Sequence, residues 1–163
     1  TSQVIMNSPC DVLVVTKECT RCTGRYSSLL VPFDGSESSK KALVRACELS
    51  TLDKGEITVL YVIPRYEEMV NFYKTEAITQ KLFQEAEKIL EGAKKIASGL
   101  GVQIKAVVQE GHASDKIVEL ADKFKNDLIV MGTHGWSGVN KAIMGSTAER
   151  IIANATRPIL IVR

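Results

Sequence analysis

Asp127-Leu128-Ile129-Val130-Met131-Gly132-Thr133-His134-Gly135, followed after nine intervening residues by Gly145-Ser146-Thr147-Ala148-Glu149, decides how this 163-residue chain reads. The short apolar run up to Met131 is bounded like a strand buried on both faces. Ser146-x-x-Glu149 has the form of a capping box and opens an apolar-periodic segment containing Ile151 and Ile152. The stretch therefore reads strand, glycine-hinged loop, helix start. Glycine has no Cβ and admits positive φ, so such a loop lets main-chain N–H groups approach an anion closely. The helix start adds unpaired N–H groups and a partial positive charge. Together these features predict a seat for a phosphate chain.

Outward from this stretch, strands and helices alternate. Ser28–Phe33 is the first strand of the main body, and Asp34-Gly35-Ser36 turns it into a helix from about Ser36 to Leu49. Ala42, Leu43, Ala46, Cys47 and Leu49 form one apolar face of that helix. Glu56–Ile63 is a second strand, ended by Pro64. Arg65–Lys74 is irregular, and Tyr66, Met69, Phe72 and Tyr73 are expected to anchor it to the core. A long helix from about Thr75 to Ser98 stops at Gly99 and Gly101. Val102–Gln109 alternates as a third strand. Ser114 is the expected cap of a helix running to about Lys125. After the fourth strand, the glycine loop and its helix, Pro158–Val162 is the last strand.

This order, with near-continuous apolar strands, predicts a parallel sheet covered by helices on both faces and joined by right-handed crossovers. Ligands bind such sheets beyond the carboxyl ends of the strands, at the switch point. The first and fourth strands are the expected neighbours there, which brings Asp34 and the glycine loop to one crevice.

Composition sets outer bounds. The length suits one domain of ordinary size, and 45% apolar residues suffice for its core. A net charge of +2 gives no case for a nucleic-acid surface or a polybasic membrane patch. No apolar run approaches the ~20 residues of a membrane span. The first residues lack the basic and long apolar stretches of a secretion signal. A start at Thr1 rather than Met is what a processed or truncated product would show. Cys10, Cys19, Cys22 and Cys47 are too few for a disulfide scaffold of this size. The cytoplasm is the expected compartment.

Residues 1–27 stand apart as an extension, with residues 28–163 as the main domain. Laying Val4–Val15 over Ile151–Val162 matches Ile5 to Ile152, Asn7 to Asn154, Leu13 to Leu160 and Val15 to Val162. The segment reads as a second copy of the last helix end and last strand. Three accounts stand: the tail of a preceding repeat, an extra strand pairing with the sheet edge, or chance likeness of apolar runs. Lys17–Ser27 reads as a polar linker carrying Cys19-Thr20-Arg21-Cys22. No second C-x-x-C or H-x-x-x-H completes a tetrahedral metal site, so exposed linker thiols are the expected reading.

Gly132, Gly135 and Gly145-Ser146 match G-x2-G-x9-G-[S/T], the ATP-binding pattern of the universal stress protein family. Val31-Pro32-Phe33-Asp34-Gly35-Ser36 and the run from Asp127 to Gly135 are also similar to that family, and the resemblance extends from about Ser28 to the end. It implies a doubly wound α/β fold of five parallel strands in the order 3-2-1-4-5, here with an extra N-terminal strand. It implies an adenine nucleotide, ATP, with or without Mg²⁺. Asp34 would lie near ribose and adenine, and the backbone of Val62 would meet the adenine beside Pro32 and Phe33. Met131 and Gly132 would begin the phosphate-side loop, with Gly135, Gly145, Ser146 and Thr147 on the phosphates and His134 within the loop. The resemblance also implies dimerisation through last-strand pairing, which Val12–Val15 would satisfy within one chain or across a dimer. Lys141 and Trp136 are further loop residues, read respectively as a solvated charge able to reach phosphate and as a packing anchor.

Phosphoryl transfer needs an aligned nucleophile, a metal and charge compensation in the transition state. The sequence has no G-x-x-x-x-G-K-[ST] and no evident metal-binding carboxylate pair, so no residue is assigned a catalytic or metal-binding role. The expected function is an ATP-binding stress-response regulatory module. A slow ATPase or related nucleotide-processing enzyme, and a nucleotide-free dimerisation scaffold, are the alternatives.

Overall fold

The computed structural model describes residues 2–16, 19, 24–64, 76–135 and 144–163. The elements run α1 (Ser2–Asn7), β1 (Val12–Val14), β2 (Ser28–Pro32), α2 (Glu37–Asp53), β3 (Glu56–Pro64), α3 (Glu76–Gly99), β4 (Ile104–Gly111), α4 (Ala113–Lys123), β5 (Leu128–Gly132), α5 (Ser146–Asn154) and β6 (Ile159–Val162). They build one six-stranded sheet in the order β1-β6-β5-β2-β3-β4. The five strands from β2 onward are parallel, in the expected order, and β1 joins β6 antiparallel.

Two apolar layers flank the sheet. Leu29, Val31, Val59, Leu128 and Val130 face α2 and α3, packing on Ala42, Leu43, Ala46, Cys47, Leu90 and Ala93. Leu30, Leu60, Ile129, Met131, Ile159 and Ile161 face α4 and α5, packing on Ile117, Leu120, Ala121, Ala148 and Ile151. The strands carry apolar residues at successive positions because both of their faces are covered. Burial among these groups pushes the Cys47 thiol up from its ordinary pKa.

At the amino ends of the central pair, the Asp127 carboxylate accepts from Ser27 N at 2.9 Å, Ser27 Oγ at 3.0 Å and Ser28 N at 3.1 Å. Asp127 N donates to Ser28 O at 2.9 Å. These bonds fix β2 beside β5 with Leu29 opposite Leu128. The ladder between them is limited to Leu29–Leu128 and Leu30–Ile129, and the crevice lies beyond it at the carboxyl ends.

The extension belongs to the fold. β1 pairs Val12 with Ile161, Leu13 with Leu160 and Val14 with Ile159. Ile5 is fully buried in the α4–α5 layer. Asp11 accepts from Arg45 Nε at 2.8 Å and from Arg163 N at 3.2 Å, and Thr16 Oγ1 donates to Ala155 O at 3.2 Å. The extra N-terminal strand expected from the sequence is thus present, paired with the sheet edge.

Several local expectations change. α2 runs on to Asp53, where Lys54 takes a left-handed conformation. β4 begins at Ile104 rather than Val102 and continues to Gly111. Ser114 does not cap α4; His112 occupies the cap position and makes no side-chain bond to the first-turn N–H groups, and Ser114 Oγ reaches Asp115 Oδ1 at 3.2 Å. Cys19 is disulfide-bonded rather than a free linker thiol, whereas Cys10 and Cys47 are free. The aromatics expected in Arg65–Lys74, and Cys22, lie outside the described residues.

Candidate functional site

A cavity of about 450 Å³ opens beyond the carboxyl ends of β2, β3 and β5, where the sheet order reverses. β2 ends at Pro32, and Phe33 N donates to Leu60 O at 2.9 Å, keeping Phe33 beside β3 before the chain turns away. Asp34 is the first residue past this point. Its Oδ1 accepts from Ser36 N at 2.9 Å, and Ser36 Oγ accepts from Ser39 N at 3.3 Å to cap α2. The helix that covers the sheet thus also fixes the carboxylate at the cavity wall.

The opposite wall is main chain. A methyl group on Gly132 would sit 2.6 Å from Ser38 Cβ and 2.9 Å from the Ser38 carbonyl. No side chain fits there, so β5 leaves the sheet in direct contact with the first turn of α2. A methyl group on Gly135 would sit 2.6 Å from Asp34 Oδ2. Between these glycines, Thr133 is buried and its Oγ1 lies 2.8 Å from His134 Nδ1. Thr133 O accepts from Gly145 N at 3.1 Å, tying the end of β5 to the start of α5.

α5 begins one residue earlier in role than the capping box implies. Gly145 is the cap residue and makes no side-chain cap bond; Ser146 is already the first helical residue. A glycine cap leaves the first-turn N–H groups without the hydroxyl that a Ser cap would supply, and this is the end that favours negative charge.

The structure brings Pro32, Phe33, Asp34, Val62, Met131, Gly132, His134, Gly135, Ser146 and Thr147 to the border of this cavity. Gly145 stands just behind it, holding the helix start in place. Trp136 and Lys141 lie outside the described residues. The sequence reading missed Ser39, Leu60, Ala113, Ile117 and Thr133, which also border the cavity. Ile117 and Ala113 come from α4 and close the apolar wall. Helical spacing with Leu120 and Ala121 marks Ile117 as core, and nothing local distinguishes a core face that ends at a cavity. Among the described residues, no group of three or more His, Cys, Asp or Glu is placed to hold a metal ion. No helix among them is long and apolar enough to cross a membrane.

One side of the cavity is therefore apolar, from Phe33, Leu60, Val62, Ile117 and Met131. The other is polar, with one carboxylate, two glycine positions stripped of side chain and a helix N-terminus. Such a site suits a ligand with a flat apolar part and an anionic part.

Residues 25–163 match the Universal stress protein family. Over 140 residues the chain is 36% identical to universal stress protein MJ0531 of Methanocaldococcus jannaschii, covering 85% of this chain and 82% of that protein. It is similar to a universal stress protein crystallised in complex with cAMP, at 25% identity and a TM-score of 0.68, covering 85% of this chain and 98% of the other. A universal stress protein structure from Archaeoglobus fulgidus shares the fold at 18% identity and a TM-score of 0.72, matching 98% of this chain with only 53% of its own. With the sheet order, the glycine-lined crevice and these likenesses in agreement, the chain belongs to the universal stress protein family.

Proposed function

We propose that this protein is an ATP-binding regulatory module of the stress response, acting in the cytoplasm, with adenine nucleotide as its ligand rather than nucleic acid or a membrane surface. The observation that carries the reading is the convergence of Asp34, the Gly132–Gly135 main chain and the uncapped start of α5 on one cavity of about 450 Å³. That volume falls within the ~300–1,000 Å³ of small-molecule sites. The residues fit the ligand in three parts. Phe33, Val62 and Met131 offer an apolar slot for adenine. Asp34 offers carboxylate oxygens to ribose hydroxyls. The loop N–H groups, Gly145, Ser146 and Thr147 offer donors to phosphates, with or without Mg²⁺. The cAMP complex of a relative supports an adenine nucleotide in this family. Of the two forms of last-strand pairing, the reading takes the within-chain one, β1 on β6.

These groups bind and orient; none is assigned to bond breaking. Titration calorimetry of the purified chain with ATP, ADP and AMP tests the reading. Saturable binding of one nucleotide per chain, weakened when Asp34 is replaced by Ala, is the expected result. A folded wild-type chain that takes up none of the three overturns it.

A further inference from the structure

The polar side of the cavity carries little positive charge. Among the described residues on its border, the ionisable side chains are Asp34, Tyr61 and His134, with no lysine or arginine beside them. A phosphate chain seated there meets main-chain dipoles, a helix start and, at Asp34, a carboxylate of its own sign. His134 is the described border residue whose side chain type becomes cationic near neutral pH. It lies at the anion-binding end: a methyl group on Gly145, the cap of α5, would sit 3.8 Å from His134 Cα.

The ring's partner suits a group that gains and loses a proton. Thr133 is buried, and its Oγ1 lies 2.8 Å from His134 Nδ1. A hydroxyl both donates and accepts. It donates to Nδ1 of a neutral imidazole, which leaves the ring hydrogen on Nε2. It accepts from Nδ1–H of an imidazolium once the hydroxyl hydrogen has rotated away. The ring therefore keeps one orientation and one Nε2–H in both states, and only its charge changes. Thr133 O also accepts from Gly145 N at 3.1 Å, so one residue sets both the ring and the start of α5. The other charges on the elements around this corner are Asp34 before α2, Glu149 and Arg150 on α5, and His112, Asp115 and Lys116 at the start of α4. Lys116 pairs with Glu119 at 2.6 Å, and Glu37 with Lys40 at 2.7 Å in the first turn of α2.

We propose that His134 is a proton-linked contact for the phosphates of the bound nucleotide, and that Thr133 is the residue that positions its ring. This inference rests on the ATP-binding reading above. The imidazolium gives Nε2–H and a positive charge to a phosphate oxygen; the neutral ring gives the same hydrogen without the charge. A hydrogen bond from a charged donor is the stronger of the two. The protonated form is thus the tighter binder. The gain is complete where the unliganded ring is already protonated, and it is lost as pH rises past the point where the liganded ring gives up its proton. Between those points, binding draws one proton from solution.

Titration calorimetry with ATP, from about pH 5.5 to about pH 8 in buffers of different ionisation enthalpy, reads affinity and proton uptake together. The wild type should bind on the order of tenfold more tightly at the acid end, the scale of a hydrogen bond to a charged group. The terminal phosphate has its own ionisation at about pH 6, common to every variant, so the histidine part is the difference from His134→Gln, whose profile should be flatter. Thr133→Val keeps the branched shape without the hydroxyl and should lose most of that difference; Thr133→Ser should restore it. Nitrogen NMR of the His134 ring in the wild type needs no variant: saturating ATP should raise the pH at which the ring titrates. Equal profiles in wild type and His134→Gln, or a ring titration that ATP leaves unmoved, overturn the proposal while ATP binding stands. A wild-type profile in Thr133→Val overturns the part given to Thr133. A folded wild type that binds no ATP at any pH overturns both this proposal and the reading beneath it.

Discussion

Asp34 Oδ2 lies where a side chain on Gly135 would begin: a methyl group there would be 2.6 Å from it. The residue leaving β2 and the residue leaving β5 thus touch through a carboxylate and a bare Cα. Gly132, three residues earlier, is bare for another reason, since its missing methyl group would meet the main chain of α2. These two glycines should respond differently to the same substitution. Gly135→Ala meets the end of a side chain that can rotate, so the fold should survive while Asp34 is displaced and nucleotide affinity falls. Gly132→Ala meets backbone, so it should cost stability, by about 1–3 kcal/mol for overpacking. Urea unfolding and calorimetry on both variants separate the two effects.

Asp34 itself bonds both to its own turn and, on the proposed reading, to ligand hydroxyls. Asp34→Asn keeps an acceptor for Ser36 N and removes the charge. Affinity for ATP should drop by about 10- to 100-fold, the range for losing a charge-assisted bond. The unfolding midpoint should stay close to that of the wild type. A variant with wild-type affinity would remove Asp34 from the site.

Removing residues 1–16 uncovers the β6 edge and the surface under Ile5. Residues 25–163 match the Universal stress protein family, so the remainder is expected to fold. It should self-associate more strongly than the full chain at equal concentration, because an open, apolar edge strand pairs with its like. Sedimentation equilibrium of the two chains makes the comparison. Within the full chain, Ile5→Ala should destabilise the docked extension by about 2 kcal/mol or more, and Val4→Ala, at an exposed site, should not.

The cysteines should sort by burial. In the native chain without reductant, Cys10 is exposed and free, Cys47 is buried and free, and Cys19 is in a disulfide. An alkylating reagent at mildly alkaline pH should modify Cys10 quickly and Cys47 only after unfolding. Burial raises the Cys47 pKa above the ordinary 9.0, so the fold favours the neutral thiol. The stability linked to this group is present below pH 9.0 and is lost as pH rises from there towards the raised value. Rapid modification of both thiols in the folded state would contradict the packing of α2 on the sheet.

The element order and the meeting of Asp34 with the glycine loop were legible because each rests on local signals: apolar runs, turn residues and glycine spacing; the full strand order came only with the family resemblance. Asp127 shows why the neighbours follow, since one carboxylate ties the starts of β2 and β5 together. The helix caps were less legible. Ser114 and Ser146 both have the chemistry of a cap, yet each falls one or two residues inside its helix. At α5 the cap falls on Gly145, whose N–H is held by Thr133 O across the chain, and that contact is not local. Ile117 and Thr133 were missed for a related reason: a residue at the end of a core stripe looks the same in sequence whether it meets another side chain or an opening. The extension was the reverse case. Its likeness to residues 151–162 was visible, but only the structure shows the two segments paired, with Leu13 opposite Leu160.

The antiparallel seam between β1 and β6, in a sheet otherwise all parallel, sets a polarity. Every crossover that follows β2 delivers its loops to the same rim. β1 alone runs against them, so its carboxyl end at Val14 lies at the rim opposite the ligand cavity, and the strand that closes the sheet edge adds no loop to the cavity mouth.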